Sequence, residues 1–264
     1  MDKFPSNINV SIRNINMTKE FNYTQIRLTE DRYGGVIIDT CTVLHALEEL
    51  EEDLIKIISD PKDKKVLWIT LPISKSDYIP LLTKYNFQFY DCNETSITLF
   101  KRLAVDSIIP TATNHTIGVG AFVRDNNDIL VIKDGIYKTY KLPGGYIDNN
   151  ENLSQALARE VSEETGIDVR LESIVSLCHF SPGQFNESNI YIVCKAKPLS
   201  KDITIGDNHE IIEAKWINIE EYLKSEEVSA YNKKIVATAI QNEGIKLEVD
   251  DLFTKKNSQH EFFF

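Results

Sequence analysis

The sequence predicts an α+β protein of two domains, and three observations support this. A chain of 264 residues is long enough for two domains of ordinary size. Segments with the two-residue alternation of strands and segments with the helical period occur in both halves. Residues 105–115 contain a proline and two threonines but no periodicity, so they resemble a linker. The predicted divisions are a domain at 1–104, a linker at 105–115, a second domain at 116–252 and a tail at 253–264.

The first domain is predicted to be a small α/β unit. Between residues 42 and 59 the apolar side chains are spaced four, three, four and three apart, which places them on one face of a helix. A short apolar strand at residues 66–71 ends at Pro72. The remaining predicted elements are a strand at 9–15, a short helix at 76–85 and a hairpin formed by 86–90 and 96–100.

The second domain combines strand patterns with three helices. Its first two strands are joined by the turn residues Asp125, Asn126 and Asn127. One helix begins after Asn152, which has Gln155 three residues later as in a capping box, and it ends at Thr165-Gly166. The predicted strands are 116–124, 128–133, 137–142, 169–180, 189–197 and 211–217, and the later helices are 219–225 and 231–241.

The charge of the chain limits the classes of partner. The formal net charge is −11, so the chain does not have the basic surface that broad nucleic-acid binding requires. Acidity does not exclude a phosphorylated substrate, because a bound Mg²⁺ supplies local positive charge.

The cysteines and the hydropathy of the chain indicate the cellular compartment in which we expect the protein. The four cysteines form no CxxC pair and resemble buried free thiols of a reducing compartment: Cys41, Cys92, Cys178 and Cys194. The first twelve residues contain no apolar run long enough for a signal peptide, and no segment approaches a membrane span. We therefore expect a cytoplasmic protein without a membrane partner.

Residues 145–167 are the most informative stretch. Nine positions carry defined residue types at fixed spacings: Gly145, Glu151, Arg159-Glu160-Val161, Glu163-Glu164 and Gly166-Ile167. At about 100° per residue, Glu160, Glu163 and Glu164 extend the apolar face of the helix begun by Leu153 and Ala156. Three unpaired carboxylates turned inward would repel each other at a cost of several kcal/mol. Hard cations such as Mg²⁺ remove this cost, so the pattern predicts a metal site and not a solvated face.

Two further residues support the predicted metal site. Arg159 is one helical turn before Glu163, at the spacing where side chains meet, so we expect it to orient that carboxylate. The alternative for Arg159 is an ordinary surface salt bridge. Gly144, which precedes Gly145 at the end of a strand, lets a backbone carbonyl approach a metal closely.

This pattern resembles the Nudix hydrolase motif. The resemblance implies a mixed sheet between helices and hydrolysis of a diphosphate bond by water, with two or three Mg²⁺ or Mn²⁺ ions. It also implies metal ligands at Glu160, Glu164 and the Gly144 carbonyl, with Glu163 as a further ligand or as the base. A carboxylate outside the motif often completes such sites, and Glu210, six residues before Trp216, matches its position. Glu213 is the alternative.

The first domain resembles the pre-Nudix domain of the animal antisense basic-fibroblast-growth-factor Nudix proteins and their plant relatives. The matching features are Trp68, Pro72-Ile73 and Asn86-Phe87, and the resemblance covers about residues 30–250. It implies ADP-ribose or NADH as the substrate. It also leaves dimer formation, closure over the site or partner binding as roles of this domain, and we expect a homodimer.

Three functions remain as hypotheses. The first is a pyrophosphatase acting on a nucleoside diphosphate linked to another moiety, and the second is a nucleotide-binding regulatory or scaffolding module without turnover. The third, an RNA-cap or nucleic-acid-directed hydrolase, is disfavoured by the net charge and by the absence of a basic stripe in the sequence. A nucleotide base needs an aromatic or apolar slot, although core packing is the commoner fate of its candidate residues. These candidates are Tyr140, Phe180, Phe185 and Tyr191.

Overall fold

The chain folds into two compact units, Met1–Thr113 and Asn114–Phe264. The structure is a computed structural model that describes residues 28–38, 47–183, 187–206, 210–248 and 260–264. Within these ranges, no helix has both the length and the apolar character needed to cross a membrane. The predicted strand at 9–15 and the predicted first turn of the helix at 42–46 lie outside the described residues.

The first unit is built on a five-stranded sheet. The order across the sheet is β1-β2-β3-β5-β4, and β2 and β3 are parallel while the other neighbours are antiparallel. The strands are β1 (Leu28–Glu30), β2 (Val36–Ile38), β3 (Val66–Pro72), β4 (Gln88–Cys92) and β5 (Ser96–Arg102). The helices are α1 (Leu47–Ser59) and α2 (Ile79–Lys84), and a 3₁₀ helix at Ile73–Tyr78 leads into α2.

The apolar stripe of α1 forms the core of this unit. Leu50, Leu54 and Ile57 are buried and belong to the same cluster as Leu67 and Ile69 of β3. The predicted helical spacing is therefore confirmed over the described part of the helix. The strand at 66–71 and the hairpin are confirmed with small shifts in their bounds, whereas β1 and β2 were not predicted.

The second unit is built on a larger mixed sheet. The order is β11-β7-β6-β10-β9-β12-β13, with β8 paired to β7, and β6 and β10 are its parallel pair. The strands are β6 (His115–Asp125), β7 (Asp128–Asp134), β8 (Tyr140–Lys141), β9 (Val169–Phe180), β10 (Ser188–Pro198), β11 (Ile211–Asn218), β12 (Ile245–Glu248) and β13 (Phe262–Phe263). The helices are α3 (Leu153–Thr165), α4 (Ile219–Lys224) and α5 (Ala230–Gln241).

Alternation along β6 divides this unit into three layers. Val119, Ala121 and Val123 are buried in the cluster that contains the apolar face of α3. Phe122 points the other way, into the cluster that contains residues of α4 and α5. The predicted class, an α+β fold with a mixed sheet between helices, is therefore confirmed.

The predicted strand at 137–142 is wrong in length, because only Tyr140 and Lys141 pair with β7. The carboxylate of Asp134 accepts hydrogen bonds from the backbone N–H groups of Ile136 and Tyr137, at 3.0 and 2.6 Å. These bonds close a turn in place of an extended strand.

The described cysteines are free thiols with different exposure. Cys194 is buried, Cys178 is partly buried, and Cys92 is exposed. The prediction of buried thiols is thus confirmed for Cys194 and wrong for Cys92, which lies in the last position of β4. Cys41 lies outside the described residues.

The last described residues dock on the second unit. β13 pairs with β12, which itself pairs with β9 at the edge of the large sheet. Phe263 packs against the core cluster of α3, and the carboxylate of Glu261 accepts a 3.3 Å hydrogen bond from the backbone N–H of Ser154 in the first turn of α3. Neither β12 nor the position of β13 was predicted.

We expect Gly166→Ala to lower the free energy of unfolding by about 1–3 kcal/mol. Gly166 ends α3 in the left-handed region at φ 72°, and a Cβ built there lies 2.6 Å from the carbonyl oxygen of Thr204. Urea unfolding of both proteins measures the difference. Gly206→Ala is the matched control, because a Cβ at Gly206 meets only ordinary contact at 3.6 Å. Equal losses in the two variants would contradict the prediction.

Candidate active site

The ends of α3 are fixed by the predicted signals. The Asn152 side chain accepts a hydrogen bond from the N–H of Gln155 at 2.9 Å, and the Gln155 side chain accepts one from the N–H of Asn152 at 3.0 Å. Gly166 closes the helix by donating its N–H to the carbonyl of Ser162 at 2.8 Å. The predicted capping box and glycine cap are confirmed, and together they set which residues of the last turn face the sheet.

The acidic residues of the last turn do not share one environment. Glu164 is buried, at 8% exposed, and the side chain of Glu160 is 15% exposed, so the predicted inward orientation is confirmed for both. The side chain of Glu163 is 55% exposed, so the same prediction is wrong for Glu163. Glu163 follows the fully buried Val161 by two positions, about 200° around the helix, and therefore points away from the core.

Glu164 connects α3 to the loop after β8. Its carboxylate accepts a 2.7 Å hydrogen bond from the backbone N–H of Gly144. Burial, with smaller contributions from the charges of Glu160 and Glu210, raises the pKa of Glu164 to about 8, although the Gly144 N–H and Lys141 act in the opposite direction. A carboxylate in this environment favours neutralisation by a proton or by a bound cation.

Gly145 lets the Glu160 carboxylate lie against the backbone. A Cβ at position 145 would be 2.5 Å from both carboxylate oxygens of Glu160, so a side chain there would displace that carboxylate. The Gly145 carbonyl accepts a 2.8 Å hydrogen bond from the N–H of Val119, which holds the loop on β6. Burial raises the pKa of Glu160, and the Arg159 guanidinium opposes this.

Arg159 binds three carboxylates of the motif. Its Nε and Nη2 donate to the two oxygens of Glu151, each at 2.9 Å, which makes a bidentate pair. Its Nη1 donates to Glu160 at 2.9 Å and to Glu163 at 3.2 Å, so the predicted contact with Glu163 is present. Its Nη2 also donates to the carbonyl of Tyr146 at 3.0 Å. Arg159 therefore ties the loop before α3 to the last two turns of the helix.

The pairing of Arg159 with Glu151 was not predicted. The hydrogen bonds from Arg159 lower the pKa of Glu151, and those from Glu151, its largest influence, raise the pKa of Arg159. The two residues are eight positions apart, and they meet because the chain reverses at the helix cap. The fixed spacing of Glu151 and Arg159 within the motif was the available indication of this pairing. The i,i+3 and i,i+4 rules apply within a helix and do not relate a residue before the helix cap to one in the second turn.

The two carboxylates outside the motif lie in different surroundings. Glu210 is close enough to Glu164 for its charge to raise the pKa of that group. Glu213 accepts a 2.8 Å hydrogen bond from the Tyr140 hydroxyl and contacts Lys215 at 3.3 Å. These partners, Tyr140 first, lower the pKa of Glu213 despite partial burial. The position of Glu210 relative to Glu164 favours it over Glu213 as the additional carboxylate.

The donor set suits a hard divalent cation. Glu160 and Glu164 offer carboxylate oxygens, which Mg²⁺ and Mn²⁺ prefer, and the burial of Glu164 raises the need for a neutralising charge. In the described parts of the chain, no three Asp, Glu, His or Cys side chains are arranged as a ready metal cluster. Arg159 instead neutralises Glu160 and Glu163, so metal binding would require these contacts to loosen.

We expect Glu151→Gln to lower the free energy of unfolding by about 1.5–3 kcal/mol, the range for hydrogen bonds to charged groups. The side chain of Glu151 is only 14% exposed and holds Arg159 through both oxygens. Glu163→Gln is the matched control, because it removes an exposed contact with the same arginine and should cost at most about 0.5 kcal/mol. Chemical denaturation measures the free energy of unfolding of both variants. Similar decreases in the two variants would show that the bidentate pair stabilises the fold no more than the exposed contact does.

Known families match both halves of the chain. Residues 114–239 match the family described as NUDIX domain, and residues 26–103 match the family described as Nudix hydrolase domain. Among solved structures, a NUDIX hydrolase from Nitrosomonas europaea is 18% identical and is matched over 53% of this chain and 97% of its own, with a TM-score of 0.46.

Curated relatives match across both units. Nudix hydrolase 8 of Arabidopsis thaliana is 30% identical over 74% of this chain, which spans 55% of that protein's length. Nudix hydrolase 5 of the same plant is 30% identical, over 74% of this chain and 68% of its own. The human nucleoside diphosphate-linked moiety X motif 6 protein is 28% identical, over 78% of this chain and 69% of its own. The chain therefore belongs to the Nudix hydrolase family of enzymes.

Proposed function

We propose that the chain hydrolyses the diphosphate bond of a nucleoside diphosphate linked to another moiety, with ADP-ribose and NADH as the first candidate substrates. The observation that supports this most is the buried Glu164 carboxylate, bonded to Gly144 and close to Glu160 and Glu210. The name of the human relative, a protein of nucleoside diphosphate-linked moieties, supports the same substrate class.

The residues proposed to hold metal are Glu160, Glu163, Glu164 and the carbonyl of Gly144. Two or three Mg²⁺ or Mn²⁺ ions bound there would neutralise the diphosphate and favour ionisation of a water molecule. The N–H of Gly144 holds Glu164 in place, and Arg159 orients Glu160 and Glu163 through contacts that would loosen when a cation binds. An anionic substrate would be repelled by these carboxylates alone, so cation binding and substrate binding should depend on each other.

The proposed reaction attacks one phosphorus of the diphosphate with a water oxygen. The new P–O bond forms as the bond to the bridging oxygen breaks, and the leaving phosphate takes that oxygen. The water proton passes to a carboxylate oxygen, and Glu163 is the first candidate because it is exposed at the end of α3. Glu210 is the alternative base, whereas Glu213 is already engaged by Tyr140 and Lys215.

A nucleotide-binding module without turnover is the second candidate function. It is favoured by one observation, namely that Arg159 already neutralises Glu160 and Glu163. A screen of ADP-ribose, NADH, diadenosine polyphosphates, nucleoside triphosphates and capped RNA with Mg²⁺ or Mn²⁺ separates the two candidates. Binding without hydrolysis across the whole screen would favour the module.

We expect Glu164→Gln and Glu163→Gln each to lower turnover at least about 100-fold, the effect of removing one electrostatic group from a transition state. Both variants should remain folded, which circular dichroism can check. Glu220→Gln is the matched control, because its side chain is 82% exposed and contacts only Lys224 among the described ion pairs. Full activity in both site variants would refute the assigned roles.

Glu210→Gln and Glu213→Gln should have opposite signatures. Removing the charge of Glu210 takes a carboxylate from beside Glu164, so we expect turnover to fall about tenfold or more and Mn²⁺ binding to weaken. Glu213→Gln should leave turnover within about threefold, since Glu213 pairs with Tyr140 and Lys215. Steady-state kinetics and Mn²⁺ titration measure both, and the reverse order of effects would assign the role to Glu213.

A further inference from the structure

Two histidines meet at one end of the large sheet. His115 is the first residue of β6, and His179 is the penultimate residue of β9. Their Nε2 atoms are 3.0 Å apart, while the ring centroids are 5.1 Å apart and the ring planes are inclined by 24°. The rings therefore meet through their nitrogen-bearing edges and not through their faces. Two ring nitrogens, each able to offer a lone pair, thus lie at one point on the surface.

The register of the sheet brings these rings together although their strands do not pair. β10 lies between β6 and β9, with Ser188 beside His115 and Ile190 beside His179. The Ser188 hydroxyl donates a 2.9 Å hydrogen bond to the Ser181 hydroxyl, and its short side chain leaves room for the two imidazoles to meet over β10. The position of the pair is therefore set by strand pairing on both sides of β10.

Asn114 determines which nitrogen of His115 carries the hydrogen. Its Oδ1 is 2.6 Å from Nδ1 of His115, and an amide oxygen only accepts, so the Nδ1–H donates this bond. The Nε2 of neutral His115 then has a free lone pair, which accepts the Nε2–H of His179. An oxygen acceptor at the other ring nitrogen is the arrangement that orients histidines for binding a metal.

The distance between the two nitrogens suits a transition-metal ion. A tetrahedral Zn²⁺ at about 2.0–2.1 Å from each nitrogen separates two imidazole ligands by about 3.3–3.4 Å. From the observed 3.0 Å the nitrogens need to part by only about 0.3–0.4 Å while the rings tilt toward the ion. An anion fits worse, because both Nε2 atoms would then have to carry hydrogens that point at each other across 3.0 Å.

The pair is open to solvent and separate from the carboxylate site. His179 is exposed and His115 is partly exposed, so an ion can reach both rings. Val119, whose N–H holds the Gly145 carbonyl, lies four residues further along β6, which is about 13 Å in an extended strand. Among the described residues, no third His, Cys, Asp or Glu joins the pair to form a larger cluster, so water would occupy the remaining coordination positions.

We propose that His115 and His179 bind Zn²⁺ through their Nε2 atoms, at a site distinct from the carboxylates that the proposed function uses. As the ion binds, the Nε2 hydrogen of His179 leaves to solvent and Nδ1 of the same ring takes one up, so both imidazoles stay neutral. Imidazole nitrogens select Zn²⁺ over Mg²⁺, which prefers oxygen ligands. The bound ion ties β6 to β9, two strands that have no direct pairing. This site requires no diphosphate substrate.

Zn²⁺ binding is tested on the full chain labelled with ¹⁵N. Mg²⁺ is present in excess, because it competes for carboxylate oxygens and not for imidazole nitrogens. NMR follows the ring nitrogens of the histidines as Zn²⁺ is added. We expect the Nε2 signals of His115 and His179 to shift together, while those of His260, an exposed histidine of the same unit, stay in place. Calorimetry on the same samples measures the affinity.

Three variants and a control locate the site. His115→Ala and His179→Ala should each weaken Zn²⁺ binding at least about tenfold, and Asn114→Ala, which keeps both imidazoles, should weaken it about tenfold. His260→Ala is the matched control and should bind Zn²⁺ as the wild-type chain does. Thermal melting without Zn²⁺ checks folding, and if a histidine variant unfolds, Asn114→Ala and the wild-type spectra decide. Unchanged ring signals, a shift of only one ring, or undiminished affinity in the folded variants would overturn the site.

Discussion

The hydrogen bond from the Gly144 N–H to the buried Glu164 carboxylate is the contact on which the candidate site depends. It joins the loop after β8 to the last turn of α3 and ends on a carboxylate of the helix's buried face. A buried carboxylate is costly, and one N–H offsets only part of that cost. The rest of the domain holds this arrangement in place. The capping box and Gly166 fix the ends of α3, and the apolar residues Leu157 and Val161 pack it against the sheet.

Arg159 determines how much negative charge the site presents. Its bidentate pair with Glu151 fixes the position of the guanidinium group. In this position the guanidinium also contacts Glu160 and Glu163. One arginine facing these three carboxylates and the nearby Glu164 leaves an excess of negative charge. This excess of negative charge favours the binding of a divalent cation, and the contacts of Arg159 reduce the repulsion among the carboxylates.

Local signals predicted the fold well and long-range pairing poorly. The caps of α3, its apolar face and the turn at Asn126 depend on neighbours in sequence, and the structure confirms them. The strands β1, β2 and β12 have three or four residues each, too few for an alternation to stand out. The longer strands β3 and β9 supply partners for β2 and β12, and β1 pairs with β2. Within the site, helical geometry predicted Glu160 and Glu164 correctly. Assigning the three glutamates to one broad helical arc gave the wrong orientation for Glu163. The pairing of Glu151 with Arg159 could not be predicted from helical spacing, because Glu151 precedes the helix cap at Asn152.

The docking of β13 has a consequence for any shortened form of this chain. β9 is a twelve-residue strand, and β12 covers part of its outer edge while β13 pairs with β12. Glu261 accepts a hydrogen bond from the first turn of α3. A chain cut before Ile245 would expose that edge as a template for strand addition by another molecule, which is the usual route to aggregation. The same cut would strip a carboxylate from the helix that carries the acidic residues. Such a chain would be prone to aggregation although no residue of the motif had been changed.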